Sequence, residues 1–193
     1  MKTILFNPFQ KYSEKQLFLF GWLLTILASS LSLFFNGRFD GVIDLHFVEK
    51  TSFITASLDF VICIGILTLL LFITGKMINK KTRFIDILVA SLIAKIPFYF
   101  LLFFNINNKM FIITQKLMDT ISQKKELNIE TLDMSLIVFS AIATFICMIW
   151  SMILLFNGFK TATNIKETKH ILLFILSVII AEVLSKIILF KLN

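Results

Sequence analysis

The chain has 193 residues, of which 58% are hydrophobic and only 16% charged, with a net charge of +7. A soluble domain carries about 45–50% apolar and about 25% charged residues, so a water-soluble enzyme is excluded and lipid must cover the excess apolar surface. The basic residues form no stripe on a polar face but gather at the ends of apolar runs, which excludes nucleic acid as a partner.

The segment from Met1 to Gln16 is polar and contains Lys2, Lys11 and Lys15. It lacks the short apolar stretch and small-residue cleavage site of a secretory signal, so a retained N-terminal arm is expected. A helix crossing about 30 Å of hydrocarbon needs roughly 20 residues, and five runs meet that length. They are Leu17 to Phe35, Ile54 to Thr74, Phe84 to Phe104, Ser135 to Phe156, and Ile171 to Phe190. Ser13 and Gln16 stand before the first run at the spacing of a capping box. Gly75 is expected to end the second, and Asn157 with Gly158 the fourth. The runs are continuous rather than alternating, so they predict helices and not barrel strands. The expected fold is all-α: a polytopic transmembrane helix bundle, one domain over residues 1–193.

Charge in the connections predicts orientation. Lys2, Lys11 and Lys15 precede the first span, Lys76, Lys80, Lys81 and Arg83 join the second to the third, and Lys160, Lys166 and Lys169 join the fourth to the fifth. On the other side Arg38, Lys50, Lys109, Lys116, Lys124, Lys125 and Lys191 are offset by Asp40, Asp44, Glu49, Asp119, Glu126, Glu130 and Asp133. The positive-inside rule then places the N-terminus inside and the C-terminus outside. The outer connection Asn36 to Phe53 is too apolar for a free loop and is expected on the membrane or against the helix ends. In the second outer connection, Met110, Ile113, Leu117, Met118 and Ile121 fall at helical spacing. That predicts an amphipathic helix over about Lys109 to Lys125, resting either in the interface or on the protein.

Four charged residues fall inside the spans: Asp59, Lys95, Glu182 and Lys186. Each costs about 2.5–3.5 kcal/mol near the centre of an isolated helix. At about 1.5 Å per residue, Asp59, Lys95 and Glu182 all reach the outer half of the bilayer, with Lys186 one turn further out. Glu182 and Lys186 are four apart and share a helix face. These spacings predict an intramembrane polar network between the second, third and fifth spans. Two roles are open for it: a clamp that fixes helix packing, or the lining of a polar cavity for a substrate or ion.

Cys63 and Cys147 lie in apolar runs without ligand spacing and read as buried thiols. His46 stands among Asp40, Asp44 and Glu49, but one His with carboxylates is a poor transition-metal set, and solvated loop charge is expected. No phosphate loop, nucleophile elbow or paired-His motif occurs. The sequence therefore predicts no catalytic residue, no metal and no cofactor.

The third span reads Ala90-Ser-Leu-Ile-Ala-Lys-Ile-Pro97, and the fourth closes with Trp150-Ser-Met-Ile-Leu154-Leu-Phe-Asn-Gly158. A late Pro97 in the third span, followed by Trp150, Leu154 and Gly158 closing the fourth, resembles the Yip family, named for interaction with Ypt/Rab GTPases. The motif covers mainly Ala90 to Phe190; the first 80 residues depart from it and hold a short arm in place of a long partner-binding tail. The resemblance implies five spans and a non-enzymatic protein that acts through membrane partners, another copy of itself, or bilayer organisation. The short architecture implies a bacterial inner membrane. The intramembrane charges motivate the alternative, a small transporter, channel subunit or lipid-handling protein.

Overall fold

The computed structural model describes residues 2–123, 130–165 and 167–192. Lys124, Lys125, Glu126 and Lys166, expected in the connections, lie outside the described residues. Helix α1 (Lys2–Phe6) and a 3-10 turn (Pro8–Gln10) form the N-terminal arm, followed by α2 (Glu14–Phe35). Two short strands, β1 (Gly37–Arg38) and β2 (His46–Phe47), make a ribbon. Helix α3 (Phe53–Ile78) and α4 (Phe84–Tyr99) follow, and α4 runs on as 3-10 turns over Phe100–Asn108. Helices α5 (Lys109–Ser122), α6 (Thr131–Thr163) and α7 (Thr168–Leu192) complete the chain. Five segments, led by α2, α3, α4, α6 and α7, are long and apolar enough to cross a membrane. The molecule is an all-α polytopic bundle.

The capping box at the start of α2 is formed. Ser13 N–H donates to Gln16 Oε1 at 3.0 Å, and Gln16 N–H to Ser13 Oγ at 3.4 Å. Two helix ends differ from expectation. Helix α3 continues past Gly75 to Ile78, and α6 passes through Asn157 and Gly158 to Thr163. Glycine permits a helix end but does not compel one, and at Gly158 packing decides. A Cβ there would lie 2.5 Å from the Ala90 Cβ and 2.8 Å from the Phe9 ring, so its absence lets α6 close on α4. The residues that do end helices α2 and α6 are Asn36 and Asn164, with φ of 48° and 54°, a left-handed conformation that asparagine tolerates.

Helix α4 is the centre of the bundle, packed by α2, α3 and α6, while α7 packs on α3. Its residues 89–95 are buried on every face. Hydroxyl bonds tie the layers: Ser151 Oγ donates to Ala94 O at 2.6 Å beside the Pro97 break, and Thr25 meets the Tyr99 hydroxyl at 3.0 Å. Thr74 and Ser177 join α3 to α7 at 2.5 Å. Such short polar side chains hold helices together where lipid supplies no hydrophobic drive between them. Pro97 cannot donate to Ile93 O, and its loosened ladder precedes the change to 3-10 geometry.

One end of the bundle gathers the 79–83 connection, where Arg83 pairs with Glu14 and Asn79 donates to Thr163 O at 3.3 Å. The other end gathers the ribbon and α5. In α5 only Ile113 is buried, while Ile112, Met118 and Ile121 are exposed, so most of its apolar face is left uncovered by the protein.

Candidate functional site

The connection between α2 and α3 does not rest on the helix ends; it enters the bundle. The ribbon pairs Gly37 with Phe47 and Arg38 with His46, and its tip, residues 39–45, turns inward. Phe39 and Val42 are 1% and 3% exposed. The Phe39 ring packs on Phe60 and Tyr99 at centroid distances of 4.6 and 6.1 Å. Cys63 Sγ donates to Phe39 O at 3.2 Å. Since Cys63 lies ten residues into α3, the tip reaches about 15 Å along that helix.

Irregular backbone at such depth is stable only when its N–H and C=O groups find partners in the protein. The intramembrane charges supply them. Lys95 Nζ, on the buried α4, donates to Gly41 O at 2.8 Å and Val42 O at 2.6 Å. The same ammonium faces the rings of Phe39 and Phe98 at 5.1 and 5.4 Å, a cation–π cradle that needs no carboxylate. Glu182 of α7 accepts from Ile43 N–H at 2.9 Å. Asp59 of α3 holds Arg38 side-on, from Nε at 2.9 Å and Nη2 at 2.8 Å. Lys186 lies 2.6 Å from Asp44 and 3.3 Å from Glu182.

The four charges thus do not pair as one group. Only Glu182 and Lys186 touch each other, and each of the four is bonded to residues of the inserted hairpin. The physical reason is demand: the hairpin presents a guanidinium to Asp59, two carbonyls to Lys95, an amide N–H to Glu182 and a carboxylate to Lys186. Gly41 makes this geometry possible. A Cβ at that position would lie 2.5 Å from Glu182 Oε1 and 2.9 Å from Asp44 Cβ.

Nearer the mouth of the hairpin, His46 Nδ1 lies 3.0 Å from Asp40 Oδ1. That contact with Asp40 raises the His46 pKa, against a smaller effect of burial. Burial opposes ionisation of Asp40, but His46, with help from the more distant Lys186, outweighs it and holds the carboxyl below its usual range. Arg38 is raised by its bond to Asp59.

A latch of three asparagines closes the same end, and neither charge nor hydropathy announces it. Asn36 Nδ2 donates to Asn108 Oδ1 at 2.8 Å, and Asn105 Nδ2 to Phe35 O at 2.7 Å. Asn105 Oδ1 accepts from Phe111 N–H at 2.9 Å, and Asn36 Oδ1 from Thr51 N–H at 3.2 Å. The end of α2, the hairpin's return and the start of α5 are joined. The available signal was the capacity of asparagine for positive φ, used at 36, 107 and 108.

Of the family-motif residues, Trp150 and Gly158 lie on α6 and Pro97 on α4. Trp150 Nε1 donates to Leu5 O at 2.8 Å and its ring stacks on Phe100, with centroids 6.5 Å apart. Asn157 Nδ2 donates to Phe6 O at 2.8 Å. The tryptophan therefore holds the N-terminal arm to the bundle. Gly158 lies in the contact between α6 and α4, where Ala90 approaches it.

Comparison with known proteins agrees with this architecture. No curated protein and no solved structure matches the chain. The family model described as the Yip1 domain matches residues 2–189. That match takes in the arm and the inserted hairpin as well as nearly all of the Ala90 to Phe190 stretch that carries the motif. With five membrane-crossing segments and this match over nearly its whole length, the chain is an integral membrane protein of the Yip family.

Proposed function

We propose that this protein is a non-enzymatic membrane component that works through membrane partners, another copy of itself, or local bilayer organisation. The observation that carries this reading is the use made of the intramembrane charges. Asp59, Lys95 and Glu182 are committed to the protein's own hairpin at 2.6–2.9 Å. A transporter would keep such groups free to exchange partners with a substrate or ion. Here they hold irregular backbone at membrane depth, which gives the bundle a fixed surface toward its neighbours. The basic 76–83 connection supports a reading with the N-terminus inside and the C-terminus outside, and the short architecture supports a bacterial inner membrane.

Crosslinking in native membranes followed by purification tests this reading. A partner or oligomer retained by wild type supports it, and lone protein opposes it. Flux into proteoliposomes addresses transport: a solute or ion current abolished by both Asp59→Asn and Glu182→Gln, with folding intact, would replace this reading by the transporter.

A further inference from the structure

Beside the inserted hairpin, where it meets the last turns of α7, lies an open cavity of about 580 Å³. Arg38, His46, Lys186, Lys191 and Phe190 line it, and Asp40 is the one acid in the lining among the described residues. The basic groups retain donors. Arg38 has five N–H groups and gives two to Asp59; the other three have no acceptor among the described residues. Because Asp59 fixes Nε and Nη2, the guanidinium is held rigid, with only 14% of its side chain exposed. Lys186 gives two contacts to carboxylates and keeps a third N–H. Lys191 has no partner among the described residues.

Depth and surroundings identify the occupant. Helix α7 has 25 residues, about 38 Å, so its last turns reach the headgroup zone of a bilayer whose core is about 30 Å. Phe190 is 87% exposed beside this basic cavity. An exposed apolar ring and unused cationic donors in one lining match a molecule with an anionic head and a hydrocarbon tail.

We propose that this cavity binds the headgroup of an anionic phospholipid, with Arg38, Lys186 and Lys191 around the phosphate and Phe190 against the upper acyl chain. The site does not depend on whether the protein works through partners. It also gives the salt-bridged hairpin a second role, since the Arg38–Asp59 pair that anchors the hairpin also aims the guanidinium.

The test uses full-length protein extracted from a bilayer of equal phosphatidylcholine and phosphatidylglycerol, with retained lipids weighed by native mass spectrometry. Wild type is expected to retain phosphatidylglycerol preferentially. Lys191→Glu should cut that preference by about fivefold or more, from the loss of a cation near an anionic headgroup, while Lys116→Glu on α5 leaves it unchanged. The paired change Arg38→Gln/Asp59→Asn removes the guanidinium without orphaning its acid and should also lower retention. If that double variant does not fold, Lys191→Glu decides alone. Equal retention of the two lipids by wild type, or equal loss from Lys191→Glu and Lys116→Glu, would overturn the site. Displacement of the lipid by millimolar inorganic phosphate would overturn the lipid assignment in favour of a soluble anion.

Discussion

The Lys95 ammonium donates at 2.6 Å to the carbonyl of Val42, a residue 53 positions earlier in the chain. A buried lysine usually implies a buried acid, but here two peptide carbonyls and two aromatic faces take that place. Replacing Lys95 by Met removes the donor from Gly41 O and Val42 O together. Thermal unfolding in detergent should show a loss of about 1–3 kcal/mol. Hydrogen exchange should rise at residues 40–44 while the start of α2 stays protected.

The Arg38–Asp59 pair is expected to be strongly coupled, because Asp59 is only 2% exposed and each partner is costly alone. Arg38→Gln and Asp59→Asn should each destabilise, and the double variant should be milder than their sum by about 1–3 kcal/mol. Additivity in a double-mutant cycle would remove the pair from the account of the hairpin.

Gly41→Ala tests the close approach of hairpin and α7. The added methyl must displace the Glu182 carboxylate from Ile43 N–H, at a cost of about 1–3 kcal/mol. Pairing it with Glu182→Ala, which clears the space, should bring less further loss than Gly41→Ala causes alone. The melting temperatures of the four proteins provide the comparison.

The helices were legible because lipid imposes a length and a hydropathy that no neighbour can alter. Leu17 to Phe35 needed only its own residues to be read, as did the Ser13–Gln16 cap. The intramembrane charges were legible as individuals and illegible as pairs. Lys95 and Glu182 find their partners 53 and 139 positions away, in a connection that reads as lying on the membrane or against the helix ends and not as entering the bundle. The apolar run Phe39 to Val48 showed that the connection must be covered, but apolarity alone does not separate a segment resting on the helix ends from one that buries Phe39 and Val42 between helices. Gly158 misled for a related reason: a glycine that ends a helix and one that admits a neighbouring helix look alike until Ala90 is placed beside it.

The His46–Asp40 contact gives stability a pH dependence with a definite sign. His46 has a raised folded pKa, so its contribution is complete below its ordinary value near 6.5 and is lost as pH rises through the raised one. Asp40 has a lowered folded pKa, so its contribution is complete above its ordinary value near 3.8 and is lost as pH falls through the lowered one. Arg38 and Asp44 face His46, and Lys186 faces Asp40, in the same charge environment. The gap in melting temperature between wild type and His46→Gln should therefore be widest near pH 5–6 and close at alkaline pH. Both side chains are substantially exposed, so solvent screening keeps the effect below about 1 kcal/mol.

The Trp150–Leu5 bond predicts that the arm can be released without loss of the bundle. Trp150→Phe keeps the stacking on Phe100 but removes the donor, and should cost about 0.5–1.5 kcal/mol. Faster exchange confined to residues 2–10 would distinguish local release from general loosening.

The inserted hairpin also sets an order of assembly. It leaves the ribosome directly after α2, yet Lys95 is made 53 residues after Val42 and Glu182 comes 139 residues after Ile43. During synthesis the hairpin's carbonyls and N–H groups must stay near water, because a bilayer offers them nothing. Locking waits for the final helix to insert. The last span therefore acts as a completion signal, and a chain interrupted before α7 would present an unfinished hairpin to whatever quality-control protease surveys the membrane.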